Sequence, residues 1–80
     1  QSERPEAVIL NPSRAGVDRA SLDTIVRSGA RRLAYLSCNP QTLARDLRQL
    51  FRGGFVLHSV RAVDMMPQTR QIETLAFLRR

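Results

Sequence analysis

The sequence predicts an α/β fold, a mostly parallel sheet whose last strand runs antiparallel. Three observations carry that expectation. Short, continuous apolar runs are closed by turn formers, stretches with three-and-four periodicity lie between them, and a final alternating segment follows a strand with no room for a helix.

The first run, AVIL at residues 7–10, is closed by NPSRAG and reads as a buried strand entering a loop. From Asp18 the period becomes helical: Leu22, Ile25 and Val26 share a face, Asp18 or Ser21 caps the start, and the SGA after Arg27 supplies a glycine stop, giving a helix over about 19–28. RRLAYLSC, residues 31–38, has no helical face and is a second buried strand. Asn39 then caps a helix with Pro40 at its first position, where a missing N–H costs nothing. Leu43, Leu47, Leu50 and Phe51 line one side of it, Arg45, Arg48, Gln49 and Arg52 point away, and Gly53–Gly54 stop it. FVLHSVRAVDM, residues 55–65, and IETLAFL, residues 72–78, read as the last two strands, joined by the polar MPQTRQ. His58, in mid-strand and in no motif, reads as structural.

Eighty residues make one domain, 1–80, with a thin core, since a chain this short hides only about 60–65% of its unfolded surface. With 42% hydrophobic and 25% charged residues the composition is that of a globular piece. The chain starts at Gln1, which suggests a segment of something longer. No apolar run approaches the ~18 residues of a membrane span, and QSERPEA lacks the apolar centre of a signal peptide, so a cytoplasmic location with no membrane partner is expected. One cysteine allows no internal disulfide, and one cysteine with one histidine gives no zinc ligand set. The net charge is +6 and all 13 basic residues are arginine, a balance that favours phosphate-bearing partners.

In open α/β sheets ligands sit beyond the carboxyl ends of the parallel strands. NPSR and SCNP both fall at such ends. A lone cysteine is more often a small buried hydrophobe than a reactive group. Cys38, however, immediately precedes a helix N-cap, where the positive end of the helix dipole favours a thiolate, with Arg31, Arg32 and Arg45 as further candidate positive charges.

Three segments then agree in order and spacing with one family. SCNPQTLARDL (37–47) closely resembles the nucleophile motif of the S-adenosylmethionine-dependent RNA (uracil-5-)-methyltransferases, which make 5-methyluridine in tRNA and rRNA. NPSRAG (11–16) is similar to that family's Asp/Asn-Pro-Pro-Arg-x-Gly loop, and VDMMPQTRQIE (63–73) to its Val-Asp-Met-Phe-Pro-x-Thr-x-His-x-Glu segment. The resemblance runs from about Ala7 to the C-terminus. It implies the C-terminal half of a Rossmann-like class I methyltransferase sheet, S-adenosylmethionine as cofactor, and RNA as partner.

The same resemblance implies roles for single residues. Cys38 falls at the nucleophile, which adds to C6 of uracil and makes C5 nucleophilic. Glu73 falls at the proton acceptor that clears C5 after methyl transfer. Asn11 falls at a cofactor-binding position between donor and base that is Asp in most of the family, and Arg14 and Asn39 fall at substrate-binding positions, with Arg14 suited to an RNA phosphate. Met66 replaces a Phe, and Gln71 replaces a His beside Glu73. No Gly-rich loop opens a helix, so most of the donor pocket is expected upstream of Gln1, in the rest of a parent chain without which this piece is inactive. Two other classes compete: a non-catalytic RNA-binding relative, and a structural module with an incidental thiol.

Overall fold

The computed structural model describes residues 7–63 and 73–80. Along the chain run β1 (Ala7–Leu10), α1 (Arg19–Arg27), β2 (Arg32–Ser37), α2 (Pro40–Arg52), β3 (Val56–Val63) and β4 (Glu73–Arg79). Each expected element is present, but β1, expected to be buried, is an edge strand with no buried residue, because only β2 pairs with it and no helix covers its Ile9 face. The connection between β3 and β4, with Met66 and Gln71, lies outside the described residues.

Local chemistry sets the helix limits. Asp18 is the α1 N-cap: its carboxylate accepts from Ser21 N at 3.0 Å and from Ser21 Oγ at 2.7 Å. The Ser21 hydroxyl first, and then the Ser21 amide, hold the Asp18 carboxyl below its ordinary value of 3.8. At α2, Asn39 is extended (φ −140°, ψ 109°) and its side chain accepts from Gln41 N, with Pro40 opening the first turn. The helix stops at Gly53, whose N–H donates to the Gln49 and Leu50 carbonyls. A Cβ there would lie 2.5 Å from Val26 Cγ2, so the ends of the two helices cross at a distance only glycine permits.

The sheet order is β1-β2-β4-β3. β1 and β2 pair in parallel, and β4 pairs antiparallel with both β2 and β3. Three strands therefore share a direction and the last opposes them, as the sequence suggests. That last strand lies inside the sheet, between β2 and β3. A register irregularity between Leu57 and Ser59 falls at His58, which is exposed.

Both helices lie on one face. Leu22, Leu43 and Leu50 from the helices pack on Leu33, Tyr35, Ala76 and Leu78 from the strands and on Phe55. Leu47 packs against this cluster, whereas Phe51, expected on the apolar side, is 43% exposed. Gln49, expected to point away, ties α2 to α1 through Arg19 O (3.1 Å) and Asp23 Oδ1 (2.9 Å). Arg80 locks the base of the layer: Nε donates to Ala30 O at 2.7 Å, Nη1 to Gly53 O at 3.0 Å and Nη2 to Val26 O at 2.8 Å. Its guanidinium lies 4.3 Å from the Phe55 ring centroid. Two of those carbonyls belong to helix C-terminal ends, where a cation is favoured.

The opposite sheet face carries Ile9, Ala34 and Phe77, bordered by Arg32 and Arg79. Ile9 is 80% exposed. No helix among the described residues is long and apolar enough to cross a membrane.

Candidate active site

Strand direction collects the candidate residues at one edge. β1 and β2 run parallel in the register Leu10↔Tyr35, so Asn11 leaves β1 beside the carboxyl end of β2. β4 is antiparallel, so its first residue, Glu73, comes to the same edge. The last β2–β4 pair is Ser37↔Thr74. Cys38 follows that pair on one strand and Glu73 precedes it on the other, so both residues lie at this edge.

The chain bends sharply at Cys38, and Ser37 holds the bend. The buried Ser37 Oγ donates to Asn39 O at 2.9 Å and accepts from Asn39 N at 3.0 Å. Cys38 is therefore half-buried at the apex of a short turn, immediately before the α2 N-cap. Arg31 and Arg32 do not add to the field there. Arg32 opens the six-residue strand that ends before Cys38, a span of about 20 Å at strand rise. Arg45 is turned aside into an ion pair with Asp46 (Nη2–Oδ1 3.0 Å).

Asn39 uses both ends of its amide within the protein. Oδ1 accepts from Gln41 N at 3.0 Å, and Nδ2 donates to Arg14 O at 3.1 Å. Thr42 Oγ1 donates to the same carbonyl at 3.1 Å. Arg14 thus anchors its loop through its backbone and keeps its side chain exposed. Asn11 is exposed at the start of that loop.

One residue of this neighbourhood escaped the sequence reading. Asp46 is 1% exposed. Its Oδ2 accepts from Val17 N (2.8 Å) and from the Tyr35 hydroxyl (2.5 Å), and its Oδ1 accepts from Arg45 Nε at 3.0 Å. Burial first, then the bond to Asp46, push the Tyr35 phenol above its usual range. The available signal was spacing: Asp46 falls three after Leu43 and four before Leu50, on the buried stripe of α2.

Taken together, a half-buried thiol at a strand–helix junction, a carboxylate that opens the neighbouring strand and a polar loop at the same edge describe an α/β domain with its candidate site at the carboxyl edge of the parallel strands. The family model for tRNA (Uracil-5-)-methyltransferase matches residues 2–80. An uncharacterised RNA methyltransferase of Halalkalibacterium halodurans is 46% identical over 78 residues, which is 98% of this chain and 17% of that protein. One from Clostridium tetani is 38% identical over 78 residues, again 98% of this chain and 17% of its own length. The crystal structure of Pyrococcus abyssi tRNA (uracil-54, C5)-methyltransferase in complex with S-adenosyl-L-homocysteine superposes with a TM-score of 0.79 at 34% identity, covering 91% of this chain and 18% of that one. This chain belongs to the tRNA (uracil-5-)-methyltransferase family. It spans about a sixth of the length of these relatives.

Proposed function

We propose that this chain is the nucleophile-bearing portion of a longer RNA uracil C5-methyltransferase of the cytoplasm, forming 5-methyluridine in tRNA or rRNA. The observation that supports the reading is the β2–β4 register, whose last pair, Ser37↔Thr74, leaves Cys38 and Glu73 at the edge where Asn11 leaves β1.

In this reading the Cys38 thiolate adds to C6 of the target uracil, and the electron pair displaced from the C5–C6 double bond makes C5 nucleophilic. When bound, S-adenosylmethionine supplies an electrophilic methyl group at that point. Glu73 then takes the C5 proton, and re-forming the double bond expels Cys38 as a thiolate. The proton acceptor and the nucleophile lie at the same sheet edge, so in this reading a single uracil held there meets both.

The donor fits only partly here. Both helix N-termini are occupied by their own caps, Asp18 on Ser21 N and Asn39 on Gln41 N. Each cap takes one amide of its first turn, and the described backbone contains no Gly-rich turn opening a helix. In this reading Asn11, exposed after β1, meets the donor, and the remainder of its pocket belongs to the rest of the parent. The piece alone folds without turning over. In the same reading the exposed Arg14 side chain meets an RNA phosphate, and Asn39 serves the substrate by holding the Arg14 loop through Arg14 O.

The test is methyl transfer from S-adenosylmethionine to unmodified RNA by the full-length protein, followed by nucleoside analysis. Appearance of 5-methyluridine is expected. Binding of RNA and donor without product would move the reading to a non-catalytic RNA-binding relative, with Asn11 in place of the usual Asp as the reason.

A further inference from the structure

We infer that Asp46 is a positioning residue that fixes the loop leaving β1 against the helix that begins beside Cys38, so that the two walls of the site move as one body. The inference rests on the function proposed above and adds to it a group that touches neither uracil nor donor.

A buried carboxylate is an expensive way to fill a core position, because desolvation has to be offset by well-placed partners and an apolar side chain of similar size is often as stable or more so. Asp46 occupies such a position on the buried stripe of α2, between Leu43 and Leu50. Its partners come from three separate parts of the fold: Val17 N in the loop, the Tyr35 hydroxyl on β2, and Arg45 on its own helix. It therefore ties together the β1 loop, the strand leading into Cys38 and the helix following it.

The rest of this helix face acts on the same loop. Asn39 and Thr42 both donate to Arg14 O, and Arg45 Nη2 donates to Ala15 O at 2.9 Å and Val17 O at 3.3 Å. Arg45 is itself aimed by Asp46 Oδ1, so removing the Asp46 charge releases the loop at Ala15 as well as at Val17. Gly16 completes the fit. Its φ of +82° suits glycine, and a Cβ there would stand 2.7 Å from both Asp46 Oδ2 and Arg45 Nη2. The segment from 14 to 17 is thus held with no slack, and Asn11 lies three residues before it.

The experiment compares Asp46→Asn, Gly16→Ala and the double variant in the full-length protein. The amide keeps the size of Asp46 and sets an N–H against Arg45 instead of a carboxylate oxygen. For Asp46→Asn, kcat for methyl transfer is expected to fall about 10- to 100-fold, the scale of a misplacement near 1 Å, with KM for RNA within about twofold. The double variant is expected to be no slower than the worse single, because both changes release the same loop. If Gly16→Ala does not fold, Thr42→Val, which removes one bond to Arg14 O, replaces it. Multiplicative losses, or a loss no larger than the unfolded fraction, would overturn the inference. A second readout is independent of activity: amide exchange at Val17 is expected to rise at least about tenfold in Asp46→Asn while the β2 and β4 amides stay protected. Unchanged exchange at Val17, or equal loosening of the whole sheet, would overturn the inference even if the parent proves to make no 5-methyluridine, an outcome that bears on the function alone.

Discussion

The Tyr35 hydroxyl on β2 donates to Asp46 Oδ2 on α2 at 2.5 Å, and neither group meets solvent. Between them they join the sheet to the helix layer by a polar contact inside an otherwise apolar core.

The pair has a consequence at alkaline pH. Burial, followed by the bond to Asp46, raises the Tyr35 phenol above its usual 10. A group whose folded pKa lies above its unfolded value stabilises the fold fully below the unfolded value and loses that contribution as pH climbs toward the folded one. Tyr35 is therefore expected to stay protonated between about pH 10 and 11 while the protein is folded. Carbon-13 NMR of the labelled phenol checks this; ionisation near 10 with the fold intact would contradict it.

Replacing Cys38, the proposed nucleophile, separates chemistry from binding. In the full-length protein, Cys38→Ser is expected to reduce methyl transfer below detection, because a hydroxyl at neutral pH supplies almost no anion to add to C6. RNA affinity should stay within a few-fold. Equal activity in the variant would sink the mechanism.

Changing the base has a different signature. Under the proposed mechanism, Glu73→Gln leaves the C5 proton in place after methylation, so the bond from Cys38 to C6 is not broken on schedule. Turnover is expected to fall by roughly 10²–10⁴, the usual worth of a positioned acid or base. A denaturant-stable complex of protein and RNA should accumulate, visible by gel mobility. Loss of turnover with no trapped complex would assign Glu73 to an earlier step.

Arg80 offers a stability test away from the site. A planar fork satisfies three carbonyls and lies over Phe55. A lysine keeps the charge and loses the geometry, so Arg80→Lys is expected to cost about 1–2 kcal/mol in denaturant unfolding. A change near zero would mean that charge alone holds the helix ends.

The basic surface gives a prediction about RNA. Arg19, Arg48 and Arg52 line an open groove between α1 and α2. Among the described residues none of them forms an ion pair. If RNA phosphates reach this groove, changing Arg48 and Arg52 to Ala should reduce the slope of log affinity against log salt by about 0.7 per arginine for single-stranded RNA. An unchanged slope would place the RNA elsewhere.

The elements were legible where their causes are local. Asn39 followed by Pro40 announces a helix start, and Gly53 announces its end, because a cap and a stop are decided within a few residues. The neighbours of β4 were not legible: nothing in IETLAFL states that it pairs with β2 on one side and β3 on the other, since pairing depends on segments far apart in sequence. The tether of Arg14 to Asn39 and Thr42 was hidden for the same reason, and Asp46 was hidden by its charge, which reads as solvent-facing until Tyr35, Val17 and Arg45 converge on it. Arg31 and Arg32, near Cys38 in sequence, are carried away from it by the length of β2.

The interior place of β4 also orders events during synthesis. The ribosome delivers β3 before β4, and in the sheet β3 pairs with β4 alone. Until β4 emerges, β3 is a strand with exposed edges on both sides and Val56, Leu57 and Val60 facing water, the kind of segment that nascent-chain chaperones cover. Glu73 opens β4, so the same late docking that closes the sheet brings the carboxylate to the edge where Cys38 leaves β2. A truncated or stalled product therefore displays the Cys38 thiol without the Glu73 carboxylate at its edge, and the two groups proposed to share the chemistry come together only in chains that have finished folding.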